Sequence, residues 1–264
     1  MKNIRLILLV SFLMGGFLSA QSFRKIDNKA FARGEKLRYR VYYDSFLTGK
    51  VTAGEATVEV KKDAKIIGGR QAYHIEALGW SKGAFNFFFK VNNRYESFVD
   101  EQALIPWLFI RRTREGGYDV NDDVTFDHYK GLAISRQKTN AIPENAQDIL
   151  SSYYWARNID ISNSKPGDEF KFNFFLDDST YNSKIVYLGK ENIKISKGKY
   201  KALKIKPMVA TGNIFKEEFP MEIWVSDDEN RILLKGRSGI RVGSVNVELI
   251  EYSGLKNRNM AKLE

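Results

Sequence analysis

The 264-residue sequence has no cysteine, five prolines and two histidines. Without cysteine the chain forms no disulfide, offers no thiolate nucleophile and binds no zinc through sulfur. An anchor through a lipidated cysteine is excluded as well. His74 and His128 lie far apart, and neither belongs to a metal-binding spacing such as His-Glu-x-x-His. We therefore predict no metal site, no cofactor and no dedicated catalytic residue.

Long apolar runs are confined to the first twenty residues. Two basic residues precede the apolar stretch at 6–18, and the small side chain of Ala20 follows it. This order is typical of a secretory signal peptide. We predict that residues 1–20 are a cleavable signal and that residues 21–264 contain no membrane span. The expected location is the periplasm, with association with the outer membrane as one option.

What the sequence does contain is an alternation of apolar and polar residues with a period of two. Leu37, Tyr39, Val41 and Tyr43 fall on one face of a strand, and charged residues alternate with them. Comparable runs follow at close spacing, and they predict these strands: Val51–Val60, Gln71–Trp80, Phe87–Val99, Leu104–Arg112, Leu132–Lys138, Glu169–Leu176, Lys184–Leu188, Tyr200–Lys206, Met221–Val225, Arg231–Lys235 and Val242–Tyr252. Short strands separated by turns favour an all-β fold of mainly antiparallel strands.

One segment has helical spacing instead. Residues 143–157 begin with Pro143, a residue that suits the first position of a helix, and end with Arg157, which suits the helix dipole. Apolar residues recur between them every three or four positions. We predict one helix near 143–157.

The sequence also resembles itself. Residues 34–44 match 167–177 in character, and residues 68–76 match 198–206 in the same order. We predict a single β-rich domain with two similar modules that share a core, arranged as module one at about 33–140, a helical connector at 143–157 and module two at about 166–253. Glycine–acid turns before alternating strands are common in β-proteins, and that is the alternative explanation.

The repeat bears on one histidine. The counterpart of His74 in the second module is Lys204, so we predict that His74 faces water. The acidic segment at 119–123 begins like a calcium loop, but Val124 stands where such a loop needs glycine. We predict an acidic turn there.

Aromatic residues give the sharpest functional indication. The segments 85–89 and 104–110 place large apolar side chains on both faces of their predicted strands. A sheet with one solvent-exposed face does not carry large apolar side chains on both faces. Either both faces are covered by protein, or one lines a cavity for an apolar ligand. The predicted ligand-binding residues are Phe87, Phe89, Trp107 and Tyr153 for apolar contact, with Arg111 and Arg157 for an anionic headgroup.

The net charge of +10 is spread along the chain. Most lysines are explained by the polar faces of strands, and an exported protein meets anionic lipids more often than nucleic acid. We predict a lipid or other amphiphile, or an envelope protein, as partner and no nucleic acid. The oligomeric state stays open.

Several motifs resemble one known family. They are Gly34-Glu-x-Leu-x-Tyr-x-Val, Tyr95-Glu-Ser-Phe-Val-Asp with Leu104-Ile-Pro, Gln147-Asp-x-Leu-Ser-x-x-Tyr-x-x-Arg157, Ile223-Trp-Val-Ser-Asp with Arg231, and Val242-Gly-Ser. In this order they resemble the family called domain of unknown function 3108 over most of residues 31–253. The resemblance implies an exported protein of Gram-negative bacteria and supplies no activity, substrate or catalytic residue.

Three functions are consistent with the sequence. The first is a non-catalytic binding or envelope-maintenance protein that holds an amphiphile between aromatic strands and the helix. The second is a scaffold subunit of an outer-membrane assembly. The third is an envelope hydrolase for glycan or peptide, which requires Asp148, Tyr154, Arg157 and Asp227 to converge in one cleft.

Overall fold

A computed structural model describes residues 23–47, 49–208, 221–239 and 243–263. The predicted signal peptide at 1–20 lies outside these residues and stays a prediction. Among the residues described, none of the helices is both long and apolar enough to cross a membrane.

The described residues form one antiparallel sheet of fifteen strands, which confirms the predicted all-β class. The strands are β1 (Lys36–Ser45), β2 (Gly49–Val60), β3 (Lys65–Ile67), β4 (Arg70–Ser81), β5 (Val91–Asp100), β6 (Pro106–Glu115), β7 (Tyr118–Asp127), β8 (Leu132–Ile134), β9 (Thr139–Ala141), β10 (Glu169–Leu176), β11 (Ser179–Ile195), β12 (Gly198–Pro207), β13 (Met221–Ser226), β14 (Leu233–Gly239) and β15 (Ser244–Ser253). Two helices accompany them, α1 (Gly83–Phe88) and α2 (Ile149–Ala156).

The sheet curls until its two ends meet. The strand order runs from β10 through β15 to β1 and on to β9. Even so, the Phe175 ring of β10 lies 5.8 Å from the Phe126 ring of β7. The segment before α2 extends the sheet beside β10, because the Gln147 amide donates to the Asn173 carbonyl at 2.9 Å. The result is a barrel-like wall, and α2 packs inside it against β5 and β10.

The helix α2 starts later than predicted. Asp148 is its N-cap and accepts hydrogen bonds from the amides of Leu150 and Ser151 at 2.8 and 2.7 Å, while the Ser151 hydroxyl accepts from the Asp148 amide. Pro143 is therefore not the first helical residue. The reason is tertiary, since Gln147 pairs with β10 in an extended conformation.

The core beneath α2 is well filled in the first half of the chain. Phe31, Ile75, Val99, Leu104 and Tyr154 are all fully buried in one cluster. Burial of each such side chain contributes roughly 1.5–3 kcal/mol. The segment that precedes β1 thus packs against the inner face of β2, β4 and β5.

Two six-stranded meanders make up most of the sheet. The first is β1, β2, β4, β5, β6 and β7, the second is β10 to β15, and β15 pairs with β1. Equivalent backbone bonds occur in both: the Glu101 amide donates to the Gln71 carbonyl, and the Asp227 amide donates to the Lys201 carbonyl, each at 3.0 Å. Internal duplication stays a proposal. Equivalent backbone bonds in the two meanders are what a duplication would produce.

His74 and Lys204 are at corresponding places in the two meanders. The His74 ring stacks on Phe98 at 4.5 Å and its Nε2 lies 2.7 Å from the Glu96 carboxylate. Lys204 places its Nζ 5.0 Å from the Trp224 ring. His74 lies on the face of β4 opposite the buried Ile75, as predicted for an outward position, but its side chain is only 16% exposed. Cross-strand partners on β5 cover it.

Two further local predictions are wrong. Residues 119–123 are part of strand β7 and not a turn, because their carboxylates pair with the arginines of β6. Arg112 contacts Asp123 at 2.7 Å. The predicted strand Phe87–Val99 begins only at Val91, and its first residues belong to α1.

A candidate ligand cavity between helix α2 and the second meander

A cavity of about 200 Å³, partly open to solvent, lies between α2 and strands β10 to β14. Its walls are almost entirely aliphatic and aromatic. The lining residues are Ser152, Tyr153, Ala156, Arg157, Ile159, Ile161, Phe170, Phe172, Ile185, Tyr187, Leu203, Ile205, Pro207, Ile223, Val225, Arg231 and Leu233. The sheet supplies one wall and the helix with the segment after it supplies the other.

Strand periodicity produces the sheet wall. Side chains two positions apart point to the same face of a strand. Leu203, Ile205 and Pro207 follow this spacing on β12, and Ile223 and Val225 follow it on β13. Since β12 and β13 pair directly, with Leu203 opposite Val225, their side chains form a continuous apolar surface.

The helix wall is held in place by Tyr153. Its hydroxyl accepts a hydrogen bond from the Leu233 amide at 3.1 Å, which ties α2 to the start of β14. Burial raises the pKa of the Tyr153 hydroxyl, so this group stays neutral and available as an acceptor. The ring of Tyr153 also lines the cavity.

Arg157 borders the cavity, but its charge is already satisfied. Its Nη1 and Nη2 donate to the two carboxylate oxygens of Glu35 at 2.6 and 2.7 Å, and its Nε donates to the Asn230 carbonyl at 2.9 Å. Burial alone would lower the pKa of Arg157, but the Glu35 carboxylate outweighs burial and raises it. Both side chains are at most 2% exposed. Arg157 is therefore a structural cation.

Arg231 is the cation that remains available. It lies two residues before β14 in a left-handed conformation, with φ of 46°, and its guanidinium donates to the Ile159 carbonyl. Desolvation lowers its pKa, although the nearby carboxylates of Asp160, Asp227 and Asp228 act in the opposite direction. Among the described residues no ion pair joins its guanidinium nitrogens to a carboxylate, and only its backbone amide donates to Asp228, at 3.2 Å. A partly buried guanidinium without a paired anion is suited to an anionic ligand.

The family model for "Protein of unknown function (DUF3108)" matches residues 38–250. The chain belongs to the DUF3108 family. None of the curated proteins matches it. The match covers both meanders and the helix between them, and it agrees with the resemblance seen in the sequence motifs.

Comparison with solved structures finds matches to this DUF3108 protein at low identity. A β-barrel-like protein of domain of unknown function DUF1849 from Brucella abortus has a TM-score of 0.54 at 11% identity, over 88% of this chain and 99% of that chain. A Bacteroides fragilis protein whose name classes it as exported has a TM-score of 0.36 at 9% identity, over 85% and 97% of the two chains. A Parabacteroides distasonis protein named as a lipoprotein has a TM-score of 0.33 at 11% identity, over 88% and 100%. The first of these supports a barrel-like fold.

The structure places the six predicted ligand residues of this DUF3108 protein at four locations. Tyr153 and Arg157 line the cavity. Trp107 is buried, and its Nε1 donates to the Asp100 carboxylate at 3.1 Å. Arg111 pairs with Asp177 where the ends of the sheet meet.

The remaining two predicted residues, Phe87 and Phe89, are exposed on and just after α1. The cavity walls from β10 to β14 and Arg231 were missed. Their signal is present in the alternation of β12 and β13, but the sequence alone does not show which face meets α2.

The residues required by the hydrolase hypothesis are not brought together. Asp148 and Arg157 cap opposite ends of α2, about 13 Å apart by helix geometry. Tyr154 donates to Glu35, whereas Asp227 pairs with Lys190 at 3.0 Å in the turn after β13. No cluster of three potential metal ligands occurs among the described residues. These four residues therefore do not form the single cleft that the hydrolase hypothesis requires.

Proposed function

We propose that this DUF3108 protein is an exported, non-catalytic binding protein of the periplasm. It holds an anionic amphiphile, with the apolar chain in the cavity between α2 and the second meander and the headgroup at Arg231. The observation that carries the proposal is the combination of an apolar cavity with the Arg231 guanidinium at its border, which forms no ion pair within the described part of the chain.

The size of the cavity limits the ligand. An apolar cavity of about 150 Å³ holds benzene, so this one takes about eight carbon atoms. Burial of about eight methylene groups contributes roughly 6 kcal/mol, and this corresponds to a dissociation constant in about the 10–100 µM range. A longer chain would extend through the open side.

The lining chemistry also supports an amphiphile over a sugar or peptide. Cavity positions on β12 and β13 offer no hydrogen-bonding side chain, and a polar ligand would leave its groups unsatisfied there. Ser152 on α2 is occupied, because its hydroxyl donates to the Ile149 carbonyl at 3.0 Å. We therefore assign recognition of the ligand's anionic headgroup to Arg231.

Calorimetric titration with decanoate and with decanol tests this function. We expect the full mature chain to bind both. Ile205→Trp fills the cavity and lowers affinity for both at least about tenfold. Arg231→Gln lowers affinity for decanoate by about tenfold, since a charge-assisted hydrogen bond contributes about 1.5–3 kcal/mol, and leaves decanol binding unchanged.

The matched control is Arg237→Gln, an exposed arginine on β14, the strand that follows Arg231. It should leave both affinities unchanged. Failure of the wild-type chain to bind either probe, or equal binding by Ile205→Trp, would contradict the proposal. An equal loss in Arg231→Gln and Arg237→Gln would remove the assigned headgroup site.

A further inference from the structure

Large apolar side chains are concentrated in solvent at one end of the sheet. Phe46 and Leu47, in the turn between β1 and β2, are 104% and 82% exposed, and Phe87 and Phe88 of α1 are 87% and 82% exposed. None of the residues in α1 is buried. Single exposed apolar residues are common, but a group of fully exposed phenylalanines marks an interaction surface.

The pairing of the strands puts these residues at the same end. In antiparallel neighbours the β1–β2 turn, the β4–β5 connection and the β6–β7 turn lie along one edge. Helix α1 is held there because the Lys82 amide donates to the Ala53 carbonyl at 2.8 Å. The ring of Phe89 lies against Gly116 of the β6–β7 turn, where an added Cβ would clash with the ring.

Lysines flank the phenylalanines. Lys50 follows the β1–β2 turn and Lys90 follows α1, and both are exposed. The Lys90 carbonyl accepts from the Gly116 amide at 3.0 Å, which fixes that lysine beside the aromatic group. Lysine is depleted in the cores of protein–protein interfaces, whereas lysines around protruding aromatic residues complement an anionic headgroup layer.

We propose that this end of the sheet docks on the surface of an anionic lipid bilayer. The side chains of Phe46, Leu47, Phe87 and Phe88 insert between the headgroups, and Lys50 and Lys90 contact the lipid phosphates. The proposal does not depend on the cavity or its ligand. It goes beyond binding of a single amphiphile because it assigns the protein a membrane-facing end.

Co-sedimentation of the mature chain with vesicles tests the docking surface. We expect the protein to bind vesicles of phosphatidylglycerol mixed with phosphatidylcholine and to bind phosphatidylcholine alone much less. The double variant Phe87→Ser/Phe88→Ser should lower the partition coefficient at least about tenfold. Lys50→Glu/Lys90→Glu should abolish the preference for the anionic vesicles, and added salt should weaken binding of the wild type.

Two controls separate docking from other effects. Ile66→Ser changes a residue that is 74% exposed on β3, at the opposite end of the sheet, and should leave partition unchanged. The cavity variant Ile205→Trp should also partition normally, which separates this proposal from ligand binding. Absence of the wild-type chain from anionic vesicles overturns the proposal, as does an equal loss with Ile66→Ser. Capture of an envelope protein through Phe87 and Phe88 without vesicle binding overturns it too.

Discussion

Arg157→Met is expected to lower the free energy of unfolding by about 3–5 kcal/mol. The substitution leaves the Glu35 carboxylate in a site that is 0% exposed, without its bidentate partner. It also removes the donors to the carbonyls of Ala30 and Asn230. A buried charge that loses its partner costs far more than the pair itself contributes, because the cost of desolvation is no longer offset.

Aromatic packing adds to this cost. The guanidinium carbon of Arg157 lies 5.0 to 5.5 Å from the ring centroids of Phe31, Tyr153 and Tyr154. These contacts join the segment before β1 to α2, and the bond to Asn230 joins both to the turn after β13. Loss of one side chain therefore loosens three parts of the fold.

Urea unfolding followed by circular dichroism measures the effect. The double variant Glu35→Gln/Arg157→Met removes both charges and should recover a large part of the loss. Arg114→Met is the surface control, because Arg114 and Asp119 form a pair with side chains 64% and 55% exposed. We expect a change of at most about 1 kcal/mol there. Similar losses in the free energy of unfolding for Arg157→Met and Arg114→Met would show that the buried Arg157–Glu35 pair does not stabilise the fold more than a surface pair does.

Asp148→Asn is expected to change the pH dependence of stability. Burial raises the pKa of the Asp148 carboxyl to about 6, against the lowering effect of hydrogen bonds from Ser97, Ser151 and Leu150. The folded protein then binds a proton more tightly than the unfolded chain. The stability that this group contributes is complete below about pH 4 and is lost as the pH rises to about 6, by about 3 kcal/mol in all.

Asparagine at position 148 avoids that loss. Its side-chain oxygen still accepts from the helix amides and its amide can donate to Ser97, so the cap is kept. The stability of the variant relative to wild type should rise by about 2–2.5 kcal/mol between pH 4 and pH 7. Urea unfolding at four pH values in this range measures the difference.

His128 changes the stability in the opposite direction with pH. The effect of Asp148 is therefore read from the difference between variant and wild type. Burial lowers its pKa to about 4, so its contribution to stability is lost as the pH falls from about 6.5 to 4. This term is common to both chains and cancels in the difference. Asp63→Asn, at an exposed aspartate, is the control and should give a flat difference. A flat difference for Asp148→Asn would mean that Asp148 is ionised throughout the range.

Local patterns predicted most of the strands. The predicted Glu169–Leu176 coincides with β10, since its apolar residues alternate and a turn precedes it. Prediction was wrong where local preference and tertiary context differ. The phenylalanines before Val91 have a high strand propensity, yet the chain has already reached the end of the sheet there and forms α1 instead.

The candidate site was harder to predict. Tyr153 and Arg157 were recognised from helical spacing, but the role of Arg157 depends on Glu35, which is 122 residues away in sequence. Arg231 occupies a turn that local analysis treats as ordinary. Its significance arises only when β12, β13 and α2 enclose an apolar space, and no spacing along the chain encodes that enclosure.

The pairing of β1 with β15 has a consequence for the order of folding. Arg38 and Glu251, which contact each other across these strands at 3.3 Å, are 213 residues apart in sequence. During synthesis β1 keeps one unpaired edge until almost the whole chain has emerged, and such an edge can pair with other chains. Contacts of such long sequence separation also slow folding. Until β15 pairs with β1, the chain therefore depends on protection from aggregation at this edge.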